Sequence, residues 1–307
     1  MRYFEERFFN RLKRFHFTPI YSDKLITLDT MLEICNFINE HQNGHFEFSV
    51  NKYYRKRIRE LHFPIRVKFS CAKSLFRNCS LNYVNFENID ITECDNVEYM
   101  LSHCNFRHNP VIKLDTRNVN IMDYMFNLSG SGCAKILFDT QHVLAMRGMF
   151  RSAGYEELDI RSFDMLNVNY TESMFKDSCI KKLVAKFNMQ DLVQFDKMFS
   201  NAYGILKVDL SLCDLHVTTT MRSAFKRCSK ILFMILHSSV EREIISNHVF
   251  KFCTSLRFII MINIELKNER NSRGVTTDSI FKGCLSLVHV SYRVQNENLR
   301  DCRSLIV

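Results

Sequence analysis

Residues 149–175 read MFRSAGYEELDIRSFDMLNVNYTESMF. The stretch opens and closes on Met-Phe, with Phe150 and Phe175 standing 25 residues apart. Between them Leu158 and Ile160 sit at i and i+2, the spacing that puts two side chains on one face of a short strand. The segment then runs through NVNYTESMF into the next Met-Phe.

Working outward in both directions, the anchor recurs at Phe76, Leu101, Phe126, Phe150, Phe175, Phe199, Phe225, Phe250 and Phe281. Successive gaps are 25, 25, 24, 25, 24, 26, 25 and 31 residues. Three positions after each anchor comes a small residue: Cys79, Cys104, Ser129, Ala153, Ser178, Ala202, Cys228, Cys253 and Cys284. Cysteine packs as a small hydrophobe, so the spacing predicts a ladder of buried, reduced thiols. An inward-facing pair follows in each unit: Val84/Phe86, Ile112/Leu114, Ile136/Phe138, Leu158/Ile160, Leu183/Ala185, Val208/Leu210, Met234/Leu236 and Ile259/Met261, with Val288/Val290 ambiguous in register. Before many anchors the sequence predicts a short helix, as at 118–126 and 167–175, since Val119, Met122 and Phe126 fall at i, i+3 and i+7. One such unit cannot cover its own apolar edge; stacked neighbours can, which makes a solenoid.

Units 149–175 and 198–225 resemble BspA-like leucine-rich repeats, whose unit runs roughly MF-x-x-C-x-x-L-x-x-L-D-L-S-x-F-D-T-x-N-V-T-x-M. The resemblance covers residues 70–292, with Leu101 in place of Phe and several units without the Cys. The expected fold is an α/β solenoid, a leucine-rich-repeat-like right-handed superhelix of about nine turns with a parallel sheet of short strands, short helices and about 25 residues per turn. Residues 1–69 are expected to form a helical and basic capping region with a first strand over 65–69, and residues 293–307 a tail. Family members are mostly bacterial and protozoan surface proteins associated with adhesion, so the resemblance implies an adhesin-like protein as one reading.

Composition narrows the function classes. The 307 residues are 46% hydrophobic and 24% charged, which excludes a largely disordered chain. No run of 18 apolar residues occurs, so no transmembrane segment is expected. The first fifteen residues carry charge throughout, with no signal-peptide core, and this favours an intracellular location, surface display being the alternative. The net charge is +9, of which +5 falls within residues 1–70. The basic run Lys52, Arg55, Lys56, Arg57 and Arg59 reads first as a solvated face of the capping region, interrupted as it is by Glu60, and alternatively as a place for a nucleic acid or another anionic surface to bind.

Chemistry is sparse. The twelve cysteines include no C-x-x-C pair, and the nearest metal pattern, His103, Cys104 and His108, lacks a fourth ligand. Phosphate-loop and common hydrolase motifs are absent. Asp115, Asp139, Asp159 and Asp209 recur with the repeat and read as structural polar groups. The expectation is a non-enzymatic protein-protein interaction module with no catalytic, cofactor or metal residues, engaging a partner through its sheet face or loops. Between the inward pairs, Ile235 and Ile260 point outward, with Phe233 and Phe258 in the same strands. An apolar patch on that side is the expected contact for a protein partner or a second copy.

Overall fold

A computed structural model describes residues 66–69, 71–77, 83–84, 86–106, 110–267 and 280–293, together with three two-residue strands earlier in the chain. Those early strands are β1 (His16–Phe17), β2 (Glu47–Phe48) and β3 (Glu60–Leu61). They are followed by β4 (Val67–Lys68), β5 (Tyr83–Val84), β6 (Ile89–Asp90), β7 (Val111–Lys113), β8 (Gly130–Leu137) and β9 (Gly154–Ile160). The last four are β10 (Lys182–Ala185), β11 (Phe233–Ile245), β12 (Phe258–Lys267) and β13 (His289–Arg293). Every pairing among them is parallel, as a chain that winds in one sense requires.

The chain forms a parallel β-solenoid of about eight turns of roughly 24 residues. Strands β7 to β10 make one four-stranded ribbon and β11 to β13 a second of three. A separate column of single bridges joins Asn96, Ile121, Ala145, Tyr170, Gln194, Thr220 and Ile245, one per coil. At Gly130 the ribbon needs glycine, because a Cβ there would lie 2.4 Å from the Gly154 carbonyl oxygen.

The helices expected at 118–126 and 167–175 are absent; among the described residues there is no helix. Their place is taken by an arc that hydrogen-bonds sideways. The N–H groups of Met122, Tyr124, Phe126 and Leu128 donate to the carbonyls of Ala145, Arg147, Met149 and Arg151 in the next coil, at 2.8–2.9 Å. Those of Met125, Asn127 and Ser129 instead close turns onto residues three back. Alternate peptides thus join coils, whereas a helix would turn all its bonds along its own axis. The geometry requires left-handed backbone two residues either side of the anchor: Tyr124 and Leu128 (φ 55° and 56°), Ser173 and Asp177, Lys197 and Asn201, Ser223 and Arg227. The i, i+3, i+7 apolar face is still present, since Val119, Met122 and Phe126 are all buried. Three-residue turns reproduce that spacing without a helix.

The anchors fill the core as a stack of rings. Phe126, Phe150, Phe175, Phe199, Phe225, Phe250 and Phe281 follow one another at centroid separations of 5.2–5.7 Å, with planes within 9° of parallel. Beside them Cys104, Cys228, Cys253 and Cys284 each donate their thiol to an anchor carbonyl one coil back, at 2.9–3.1 Å. The first three are buried and Cys284 half-buried, all as free thiols, while Cys79 lies outside the described residues. Val67 and Phe69 already belong to this core, and the strand expected over 65–69 is β4.

Two strand expectations need correction. Leu158 pairs with Ala134, and Ile136 continues that register opposite Ile160, so the pair Ile136/Phe138 is displaced by two residues from Leu158/Ile160. A two-residue slip keeps every side chain on its face and leaves the alternation unchanged. Val208 and Leu210 are buried but belong to no strand. In earlier coils Gly130, Gly154 and Cys179 donate their N–H back to the previous coil, but Tyr203 donates to Asn201 within its own. The chain leaves the ladder there, and the ribbon divides. At the other end, Val290 pairs with Ile259, which settles the ninth register.

Candidate interaction surfaces

The outer face of β11 and β12 carries the apolar residues expected there. Ile235 pairs with Ile260 and Phe233 with Phe258, so the four form one block across two strands. Ile235 and Ile260 make a cluster separate from the main core, with Phe233 and Ile262 packed against it. The two isoleucines are only 8% and 5% exposed, so they shelter within the cluster. The open side chain of the block is Phe258, 42% exposed. The face is therefore apolar, and its accessible part lies at Phe258.

A second surface went unnoticed in the sequence. Between the bridge column and the strand exits runs an open groove of about 770 Å³, crossing several coils. One wall is the column Asn120, Leu144, Asn169 and Val193, each joined to the next by a backbone hydrogen bond across coils. The other wall carries Asn118, His142, Asn167 and Asp191. Asn118 and Asn167 donate their side-chain Nδ2 to the carbonyls of Thr92 and Gln141, at 2.8 and 2.7 Å, which fixes both amides. The side chains of Asn120 and Asn169 make no hydrogen bond among the described residues.

The recurrent aspartates serve the coil. Asp90, Asp115, Asp139, Asp159 and Asp209 each accept the backbone N–H two residues on, at 3.0–3.4 Å, closing an Asx-turn in each coil. Arg117 and Arg161 add side-chain bonds to Asp115 and Asp159, and these hold both carboxyls below the usual carboxylate range. Burial pushes the Cys213 and Cys228 thiols up to about 12, so they stay protonated at neutral pH. Cys104 turns into the core, and His103 packs its Nδ1 against Ser102 Oγ at 2.8 Å. No group of three or more metal-ligating side chains gathers among the described residues. The basic run Lys52, Arg55, Lys56, Arg57 and Arg59 lies outside the described residues. No described helix is long and apolar enough to cross a membrane.

The stacked coils, ring column and sideways-bonded arcs define a repeat protein of the parallel β-solenoid class. A family model described as "Mycoplasma protein of unknown function, DUF285" matches residues 70–178 and 131–237, together more than half of the chain. The chain belongs to that family. No match was found among curated proteins.

Proposed function

We propose that the chain is a non-enzymatic binding scaffold, of the BspA-like leucine-rich-repeat kind, that engages a partner protein through the outer face of its C-terminal coils. The observation that supports this is the apolar cluster of Ile235 and Ile260, with Phe233 and Ile262 packed against it outside the main core, beside which Phe258, the strand partner of Phe233, is left open. Apolar surface of this kind on an outward sheet face gains free energy when a partner covers it. The coils hold the block rigidly, so little ordering entropy is lost on binding. A reading as a nucleic-acid binder rests on Lys52, Arg55, Lys56, Arg57 and Arg59, and steep salt dependence separates it from the first.

The test is affinity capture with the wild-type chain and Phe258→Asp side by side. A protein retained by the wild type and lost from the variant, at an unchanged thermal midpoint, supports the assignment. Equal retention by both overturns it.

A further inference from the structure

The Asn-lined groove has a period of its own. Along one wall the residues alternate carboxamide and aliphatic: Asn120, Leu144, Asn169, Val193. The opposite wall repeats an amide at the same two-coil interval, Asn118 and Asn167. Coils joined by parallel pairing lie about 4.8 Å apart, so like groups recur every ~9.6 Å. A polyproline-II chain has three residues per turn and rises about 3.1 Å per residue, so it presents the same backbone group in the same direction every ~9.3 Å. Its carbonyls have no internal hydrogen bond and are open to a donor.

We propose that this groove binds an extended, proline-rich segment in the polyproline-II conformation. Asn120 and Asn169 donate their side-chain amides to ligand carbonyls one turn apart. Leu144, 45% exposed, seats a pyrrolidine ring between them, and Val193 seats another beyond Asn169. Asn118 and Asn167, already tied to Thr92 and Gln141, form a fixed opposite wall. The lining composition bears on the choice of ligand. Its one ring is the imidazole of His142, and Arg117 and Asp191 leave it without the strong positive charge that a phosphate backbone needs. The inference rests on reading the solenoid as a binding scaffold, but it uses a surface separate from Phe258.

The probe is fluorescein-labelled dodecaproline, followed by anisotropy with the full chain, with a Gly-Ser dodecamer as control. Dodecaproline is expected to bind and the control not. Asn120→Leu with Asn169→Leu is expected to weaken binding about tenfold or more, since two hydrogen bonds are lost. Leu144→Ser is expected to weaken it also, while Phe258→Asp leaves it unchanged. Circular dichroism of each variant must match the wild type. No binding of dodecaproline, or equal binding by the double asparagine variant, overturns the proposal. Absent dodecaproline binding with Phe258-dependent capture intact removes the groove alone. Bound dodecaproline with no effect of Phe258→Asp on capture removes the outer-face assignment alone.

Discussion

Phe175→Leu tests whether the ring column holds the coils together or only fills space. Phe175 is fully buried, between Phe150 at 5.4 Å and 9° and Phe199 at 5.2 Å and 5°, with Phe187 edge-on at 6.2 Å. Leucine is tolerated at this position, because Leu101 occupies it between the anchors Phe76 and Phe126. Phe175→Ala removes the packing and leaves a cavity, at a cost of about 3–5 kcal/mol. Phe175→Leu keeps most of the volume, and about 1–1.5 kcal/mol is expected for it. The stacking itself is read from double-mutant cycles. Phe150→Leu with Phe175→Leu removes one shared stack, and a coupling of about 0.5–1.5 kcal/mol is expected. Phe150→Leu with Phe225→Leu removes stacks that share no ring, since Phe150 packs on Phe126 and Phe175 and Phe225 on Phe199 and Phe250, so it is expected to be additive within about 0.5 kcal/mol. Urea unfolding followed by circular dichroism and tyrosine emission (the chain has 11 Tyr and no Trp) supplies the free energies. The two probes must coincide, because repeat arrays can unfold coil by coil. Coupling no larger for the adjacent pair than for the separated pair would refute the stacking argument.

Three further outcomes follow from the coil geometry. Gly148 has φ 56° and lies under the Tyr124 ring, where a Cβ would come within 2.3 Å of the ring; Gly148→Ala is expected to lower stability by about 1–2 kcal/mol in a urea titration, and no loss would show that the arc has slack. Asp159 is held low by the Arg161 hydrogen bonds, so its contribution is complete above its unfolded value of about 3.9 and is lost as pH falls through the lower folded one. The stability gap between wild type and Asp159→Asn, expected at about 0.2–1 kcal/mol at pH 7, should therefore shrink at pH 2.5, and a gap independent of pH contradicts the assignment. Exposed Cys179 should alkylate in the native protein at pH 8, while buried Cys213 and Cys228, with thiols near 12, should react only after unfolding; peptide mass spectrometry that finds equal rates would place those thiols at the surface.

Much of this architecture is legible in the residues. Inward pairs such as Ile112/Leu114 and Met234/Leu236 are buried as alternation requires, and the anchors stack because their spacing matches one coil. The helices were misread because turns closing on residues three back share the i, i+3, i+7 signature of a helix face. The turns themselves had no sequence mark. Left-handed backbone is ordinarily announced by Gly or Asn, but here Gly148, Gly283 and Asn201 share those positions with Tyr, Leu, Lys, Arg and Phe, held there by the bonds between coils, so no single residue type marks them. The slip of two residues between Ile136 and Leu158 was invisible for a different reason: a period of two cannot register it. The sheltering of Ile235 and Ile260 depends on cross-strand neighbours, which alternation alone does not identify.

What the repeat dictates and what it leaves open divide along the coil. Inward positions are constrained twice, by their own burial and by the ring or thiol in the next coil, so they repeat and reveal the fold. Outward positions lie outside the main core, even where they shelter one another as Ile235 and Ile260 do, and a strict repeat is not required of them. A pattern there with a period other than one coil therefore has no source in the packing. Within the groove Asn120, Leu144, Asn169 and Val193 carry such a pattern, which the bonded column does not extend to Asp95 before it or Thr219 after it, while the core beneath repeats every coil. The four positions are bonded through their backbones alone, and those bonds would form with almost any side chain. A two-coil period imposed on a one-coil scaffold matches a ligand whose own repeat is close to two coil spacings, and for this reason the groove carries a separate functional assignment from the sheet face.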